Sequence, residues 1–145
     1  MKPERPARPS RAVFADTFYW IALFNPNDSF YEQALALSRS LQNTFIVTTD
    51  EVLTEFLTYF ASGDPEVRRK AVNAVRGTLK NPKIYVIPQT RQSFLAGLDL
   101  YDARPDKGYS LTDCISMNVM KAEGLTDTLT HDEHFRQEGF RTLFT

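Results

Sequence analysis

The apolar positions of this chain fall into two kinds of run. Ala12-Val13-Phe14-Ala15, Phe45-Ile46-Val47 and Ile84-Tyr85-Val86-Ile87 are short and unbroken, which reads as strands buried on both faces. Between them the apolar residues recur at helical spacing. Thr17 to Phe24 reads as a helix stopped by Asn25-Pro26-Asn27, and a second helix opens near Asp28 or Ser29 and runs to Leu41. Thr48-x-x-Glu51 reads as a capping box ahead of Val52, Leu53, Phe56, Leu57 and Phe60. Gly63-Asp64-Pro65 separates that helix from one over 66–80, and another spans about 90–103. A turn-rich loop at 104–108 precedes an amphipathic helix over 111–122, with Gly124 as its stop. A short strand near 128–130, a helical turn at 132–135 and a last strand at 141–144 complete the chain. Strands joined by helices predict an α/β fold whose central sheet is mostly parallel, with helices on both faces.

Composition narrows this. The 145 residues are 42% hydrophobic and 24% charged, which suits a single domain with a full core. One cysteine, Cys114, makes no internal disulfide and offers no zinc cluster, so a reducing, cytoplasmic setting is expected. No apolar stretch approaches the ~20 residues of a membrane span. Residues 1–11, rich in Pro and Arg, read as a flexible basic arm and not as a secretory signal, and the folded domain is expected over 12–145.

Charge is segregated although the net value is only −1. The arm carries +3, residues 12–63 carry −5, residues 64–89 carry +4 and the remainder −3. Such a split suits an enzyme that gathers carboxylates around metal and holds a polyanion on a separate basic face. Arg68, Arg69, Arg76, Lys80 and Lys83 are the candidate phosphate contacts, and a solvated basic helix is the alternative.

Four acids stand where a parallel sheet gathers ligands, at the carboxyl ends of its strands. Asp16 ends the first strand, Glu55 lies on the helix after the second, Asp113 opens the helix at Leu111, and Asp132 follows the strand ending at Thr130. Hard oxygen donors of this kind suit Mg2+ or Mn2+. Each acid also has an ordinary structural role open to it: Asp16 as a helix cap, Glu55 as surface, Asp113 in a capping box with Ser110, Asp132 at a helix start. His131 and His134 are expected on the surface and Cys114 in the core.

Taken together, Val13-Phe14-Ala15-Asp16-Thr17, Thr49-x-x-Val52-Leu53-x-Glu55, Tyr109 to Ser116 and Leu129-Thr130-His131-Asp132-Glu133-His134-Phe135 resemble the PIN-domain ribonucleases, especially the small VapC-like toxins of toxin-antitoxin pairs. The resemblance covers the chain after Arg11. It implies a three-layer α/β/α fold, cleavage of single-stranded RNA with Mg2+ or Mn2+, homodimers and an antitoxin partner. Carried over by position, the acidic quartet that holds metal and catalyses cleavage is Asp16, Glu55, Asp113 and Asp132, with Thr17 and Thr112 as supporting hydroxyls. In-line attack by water would leave a 5′-phosphate and a 3′-hydroxyl. An antitoxin would reach the acids with an Arg or Lys and lay an apolar helix near Phe18, Trp20 and Phe56. Two other readings differ in class. One is a catalytically weak module of the same fold that only holds RNA or protein. The other is a phosphoacceptor receiver domain, disfavoured because Asp16 has no acidic neighbour and no Lys follows Ile84 to Gln89.

Overall fold

A computed structural model describes residues 11–145. Five strands, β1 (Ala12–Ala15), β2 (Phe45–Thr49), β3 (Ile84–Ile87), β4 (Asp127–Leu129) and β5 (Arg141–Thr142), form one sheet in the order β3-β2-β1-β4-β5. Every neighbouring pair is parallel. The connections carry α1 (Thr17–Phe24), α2 (Tyr31–Ser40), α3 (Asp50–Tyr59), α4 (Pro65–Lys80), α5 (Arg91–Ala103), α6 (Leu111–Glu123) and α7 (Glu133–Gln137). Parallel neighbours need long crossovers, and the helices supply them while covering the sheet in a three-layer α/β/α arrangement.

The continuous apolar runs do what their pattern requires. Val13, Phe14, Ala15, Val47 and Leu129 are fully buried, and Met117, Met120, Cys114 and Phe135 close over them. At the C-terminal end of α6, Gly124 adopts φ +70 and the Leu125 N–H reaches the Met120 carbonyl, the left-handed stop that its sequence position predicts. α5 and α6 lie so close that a Cβ on Gly97 would sit 2.5 Å from Ile115 Cγ1.

Three local expectations change. Thr49, not Thr48, caps α3 by accepting the Val52 N–H at 3.1 Å. The buried Thr48 hydroxyl instead donates to the Ala15 carbonyl at 2.8 Å and receives the Trp20 indole N–H, tying β2 to β1 and α1. α2 begins at Tyr31 because Asp28 is used in a turn, its Oδ1 accepting the Phe30 N–H and its carbonyl the Tyr31 N–H. Arg11 joins the fold: its carbonyl accepts the Phe45 N–H and its guanidinium lies 3.6 Å from Asp127. The rest of the expected arm, residues 1–10, lies outside the described residues.

The order of strands sets the place for chemistry. The sheet grows from β1 toward β2 and β3 on one side, then returns to add β4 on the other. The reversal leaves a crevice at the carboxyl ends of β1 and β4, where helices diverge to opposite faces.

Candidate active site

Asp16 is the first residue after β1. It occupies the position that precedes α1, yet its side chain does not cap that helix. Instead it is buried at 5% exposure and accepts the Thr130 hydroxyl at 2.9 Å. Thr130 is itself fully buried after β4, and its oxygen also accepts the Asp132 N–H at 3.2 Å. One hydroxyl therefore joins the ends of β1 and β4. Burial, with the charges of Asp113 and Glu55 adding to it, pushes the Asp16 carboxyl up to about 7 against the pull of the Thr130 and Thr17 hydrogen bonds.

Asp113 holds two roles at once. It completes a capping box at the start of α6, accepting the Ser110 N–H at Oδ2 while the Ser110 hydroxyl accepts the Asp113 N–H. The same Oδ2 lies 3.3 Å from His134 Nδ1. Burial raises its carboxyl, the Asp132 charge adds to that rise, and Ser110 and His134 oppose it. Asp132 caps α7 by accepting the His134 N–H at 2.9 Å, and its Oδ1 is 3.4 Å from the same imidazole nitrogen. Glu55 is exposed one turn along α3 from Glu51, and its charge reaches Asp16. The predicted quartet is thus linked electrostatically, Glu55 and Asp113 acting on Asp16 and Asp132 on Asp113.

His134 departs from its expected surface role. One ligand atom from each of Asp113, Asp132 and His134 lies within 4.8 Å of the others, a grouping able to hold a metal ion. The sequence carried one signal for it: a side chain two residues after an N-capping Asp is brought back beside the cap by the first turn. Thr130 is the other residue missed, since buried hydroxyls inside a strand motif look like packing. His131 stays exposed and lays its ring near Phe18 and Phe30.

The imidazole is held from behind. Tyr109, 4% exposed, places its ring 5.3 Å from that of His134 and donates its hydroxyl to Glu138 at 3.1 Å. Glu138 accepts from Arg104 Nε and Nη2 at 2.9 and 3.0 Å and from Lys121 Nζ at 3.0 Å. The Arg104 hydrogen bonds, above all, hold its carboxyl down at about 2.

These residues fit a divalent cation. The donors are hard oxygens with one imidazole, and among the described residues no positive partner offsets their mutual repulsion at Asp16. Beside Asp16, the Thr17 hydroxyl oxygen is buried without a hydrogen-bond partner among the described residues, as a ligand-supporting oxygen would be. Thr112 lies apart from Thr17, lining a separate depression with Glu51 and Arg91.

The basic cluster divides. Arg68, Arg69 and Arg76 line a groove of about 650 Å3 between α3 and α4 together with Thr54 and Thr58. Lys80 is exposed at the end of α4, whereas Lys83 donates to the Gln42 carbonyl at 2.7 Å and borders a different depression. The apolar surface expected at Phe18, Trp20 and Phe56 divides: Trp20 and Phe56, each largely buried, line with Leu23, Phe24 and Leu53 an open apolar hollow of about 230 Å3 between α1, α3 and α4, whereas Phe18 packs on Phe30 and Phe144. Exposed apolar residues line up instead along α5, at Leu95, Leu98 and Tyr101. Among the described residues no helix is long and apolar enough to cross a membrane.

Comparison with known proteins agrees with this architecture. The model of the PIN domain family matches residues 13–140. No curated protein sequence matches the chain. Among solved structures it is similar to Mycobacterium tuberculosis VapC20, described as a sarcin-ricin loop cleaving toxin, with TM-score 0.79 and 26% identity over 88% of this chain and 95% of that one. It is also similar to VapBC2 from Rickettsia felis bound to a promoter DNA fragment, with TM-score 0.63 and 15% identity over 90% and 96% of the two chains. FitAcB from Neisseria gonorrhoeae gives TM-score 0.63 and 14% identity over 91% and 96%. The last two identities speak for the fold alone.

Proposed function

The chain belongs to the PIN-domain family, and on that basis we propose that it is a Mg2+- or Mn2+-dependent ribonuclease that cuts single-stranded RNA as the toxin of a toxin-antitoxin pair. The observation that carries the reading is the buried Asp16 carboxyl, raised to about 7 by burial and by the charges of Asp113 and Glu55 at the crevice between β1 and β4. An uncompensated cluster of this kind costs stability, so it is expected where a bound cation completes it.

Asp16, Glu55, Asp113 and Asp132 would hold the ion, with His134 beside the last two. When bound, the ion supplies positive charge that lets the acids ionise together and Lewis acidity toward water and phosphate. Thr130 fixes the Asp16 oxygen that it touches, the Ser110 N–H fixes Asp113, and the α7 backbone fixes Asp132. The Thr17 oxygen, without a hydrogen-bond partner among the described residues, is suited to orient a water near Asp16. Thr112 supports the substrate side of the same edge. Arg68, Arg69 and Arg76, with Lys80 and Lys83 outside their groove, hold phosphates along the strand.

The similarity to a structure described as a toxin supports an antitoxin partner whose Arg or Lys reaches the acids. The exposed row on α5 supports a homodimer, and the absence of a metal- or disulfide-rich cysteine pattern suits the cytoplasm. The test is cleavage of end-labelled single-stranded RNA by purified protein. Mg2+ or Mn2+ should support cutting, EDTA should stop it, and Asp16→Asn or Asp113→Asn should lower the rate at least about a hundredfold. RNA bound but uncut by the wild type in either metal would instead favour the catalytically weak binding module.

A further inference from the structure

A second feature flanks the acids without belonging to them. Glu51, Gln89, Arg91, Phe94, Leu111 and Thr112 line an open depression of about 590 Å3 where the first turns of α3, α5 and α6 meet. It shares an edge with the acidic site on two elements. Thr112 precedes Asp113 on α6, and Glu51 sits one helical turn before Glu55 on α3.

Its lining is chemically specific. The half-buried Glu51 carboxylate has only its own backbone N–H as a hydrogen-bond donor among the described residues, so it accepts from whatever enters. The Arg91 guanidinium forms no ion pair among the described residues and lies 5.6 Å from the centre of the Phe94 ring. Phe94 is 39% exposed, so the ring that Arg91 overlies still presents aromatic surface to solvent. A carboxylate in the lining disfavours phosphate here, whereas an aromatic plane beside an acceptor and a cation matches a planar heterocycle.

We propose that this depression holds one unpaired nucleobase next to the cleaved bond and selects guanine. The proposal rests on the reading of the chain as an RNA-cleaving enzyme. Guanine alone among the four bases presents two adjacent N–H donors, N1–H and the 2-amino group, that meet both oxygens of a carboxylate. Adenine and cytosine set a bare ring nitrogen beside their amino group, and uracil sets carbonyls on both sides of its single N–H, so each turns a lone pair toward Glu51. Arg91 faces the acceptor edge, O6 and N7, which suits guanine again.

The test titrates the full-length protein, 15N-labelled and in EDTA, with guanosine, adenosine, cytidine and uridine. These uncharged probes avoid repulsion by the acids. Guanosine is expected to shift the amide signals of Gln89, Arg91 and Thr112 and to bind about tenfold or more tighter than the other three. Glu51→Gln, which keeps one acceptor oxygen, should erase most of that preference, and Phe94→Ala should weaken all four nucleosides alike. Equal binding of the four, shifts elsewhere on the protein, or a preference that survives Glu51→Gln would overturn the proposal. Neither metal nor cleavage enters the titration. Selective guanosine binding by a protein that leaves RNA uncut would therefore sink the nuclease reading and keep the guanine pocket, while cleavage without guanosine selectivity would sink the pocket alone.

Discussion

Asp16 ties the stability of the metal-free protein to pH, and the sign follows from the direction of its shift. Its carboxyl rises from 3.8 to about 7 because burial and the charges of Asp113 and Glu55 disfavour ionisation. The native state therefore binds this proton more tightly than the unfolded chain does. Its contribution is fully present below about pH 4 and is lost as pH rises through about 7. A rise of roughly three units corresponds to at most ~4 kcal/mol at 1.36 kcal/mol per unit, and relaxation of the site brings the expected loss to about 2–4 kcal/mol. For a chain of this size that is on the order of 10 °C in Tm. Asp16→Asn removes the charge and keeps an oxygen able to accept the Thr130 hydroxyl. In EDTA the variant should therefore match the wild type near pH 4 and exceed it by about 2–4 kcal/mol near pH 8. Urea unfolding followed by the fluorescence of Trp20, the single tryptophan, measures this from pH 4 to 9. Saturating Mg2+ or Mn2+ should restore the wild type at pH 8 and leave Asp16→Asn little changed. Parallel stability curves for the two proteins between pH 5 and 8 would refute the reasoning.

Three further predictions concern residues around the site. His134→Ala removes the nitrogen that meets Asp113 and Asp132, so Mn2+ affinity by titration calorimetry should fall about tenfold or more, and an unchanged affinity would exclude this imidazole from the metal site. Gly97→Ala places a methyl against Ile115 where α5 and α6 touch, so it should cost about 1–3 kcal/mol in unfolding experiments, and an unaltered Tm would contradict the close approach. Replacing Arg68, Arg69 and Arg76 together by Ala should weaken RNA binding across sequences and flatten its dependence on salt, and an unchanged salt slope would assign the groove to solvation.

The sequence by itself determined most of the elements and the candidates for the acidic site. A short apolar run such as Ala12-Val13-Phe14-Ala15 suits a strand buried on both faces, and Asp16, which ends that run, has to lie at the sheet edge. Only Asp16 is marked in this way; Glu55 and Asp113 lie on helices and Asp132 precedes one, and it is the resemblance to PIN-domain ribonucleases that singles out the four together. Tertiary structure decided what local pattern leaves degenerate. Thr48 and Thr49 satisfy the same capping rule, and only the approach of β1 and Trp20 gives Thr48 to the core and Thr49 to the helix. Asp16 reads equally as a helix cap or a site acid until Thr130, 114 positions away, supplies the hydroxyl that turns it inward. His134 has no apolar period to betray it, and its partner Asp113 arrives from another helix. Pattern reports what a residue does for its own element, whereas hydrogen bonds and charges between elements depend on the order of strands, which no local spacing encodes.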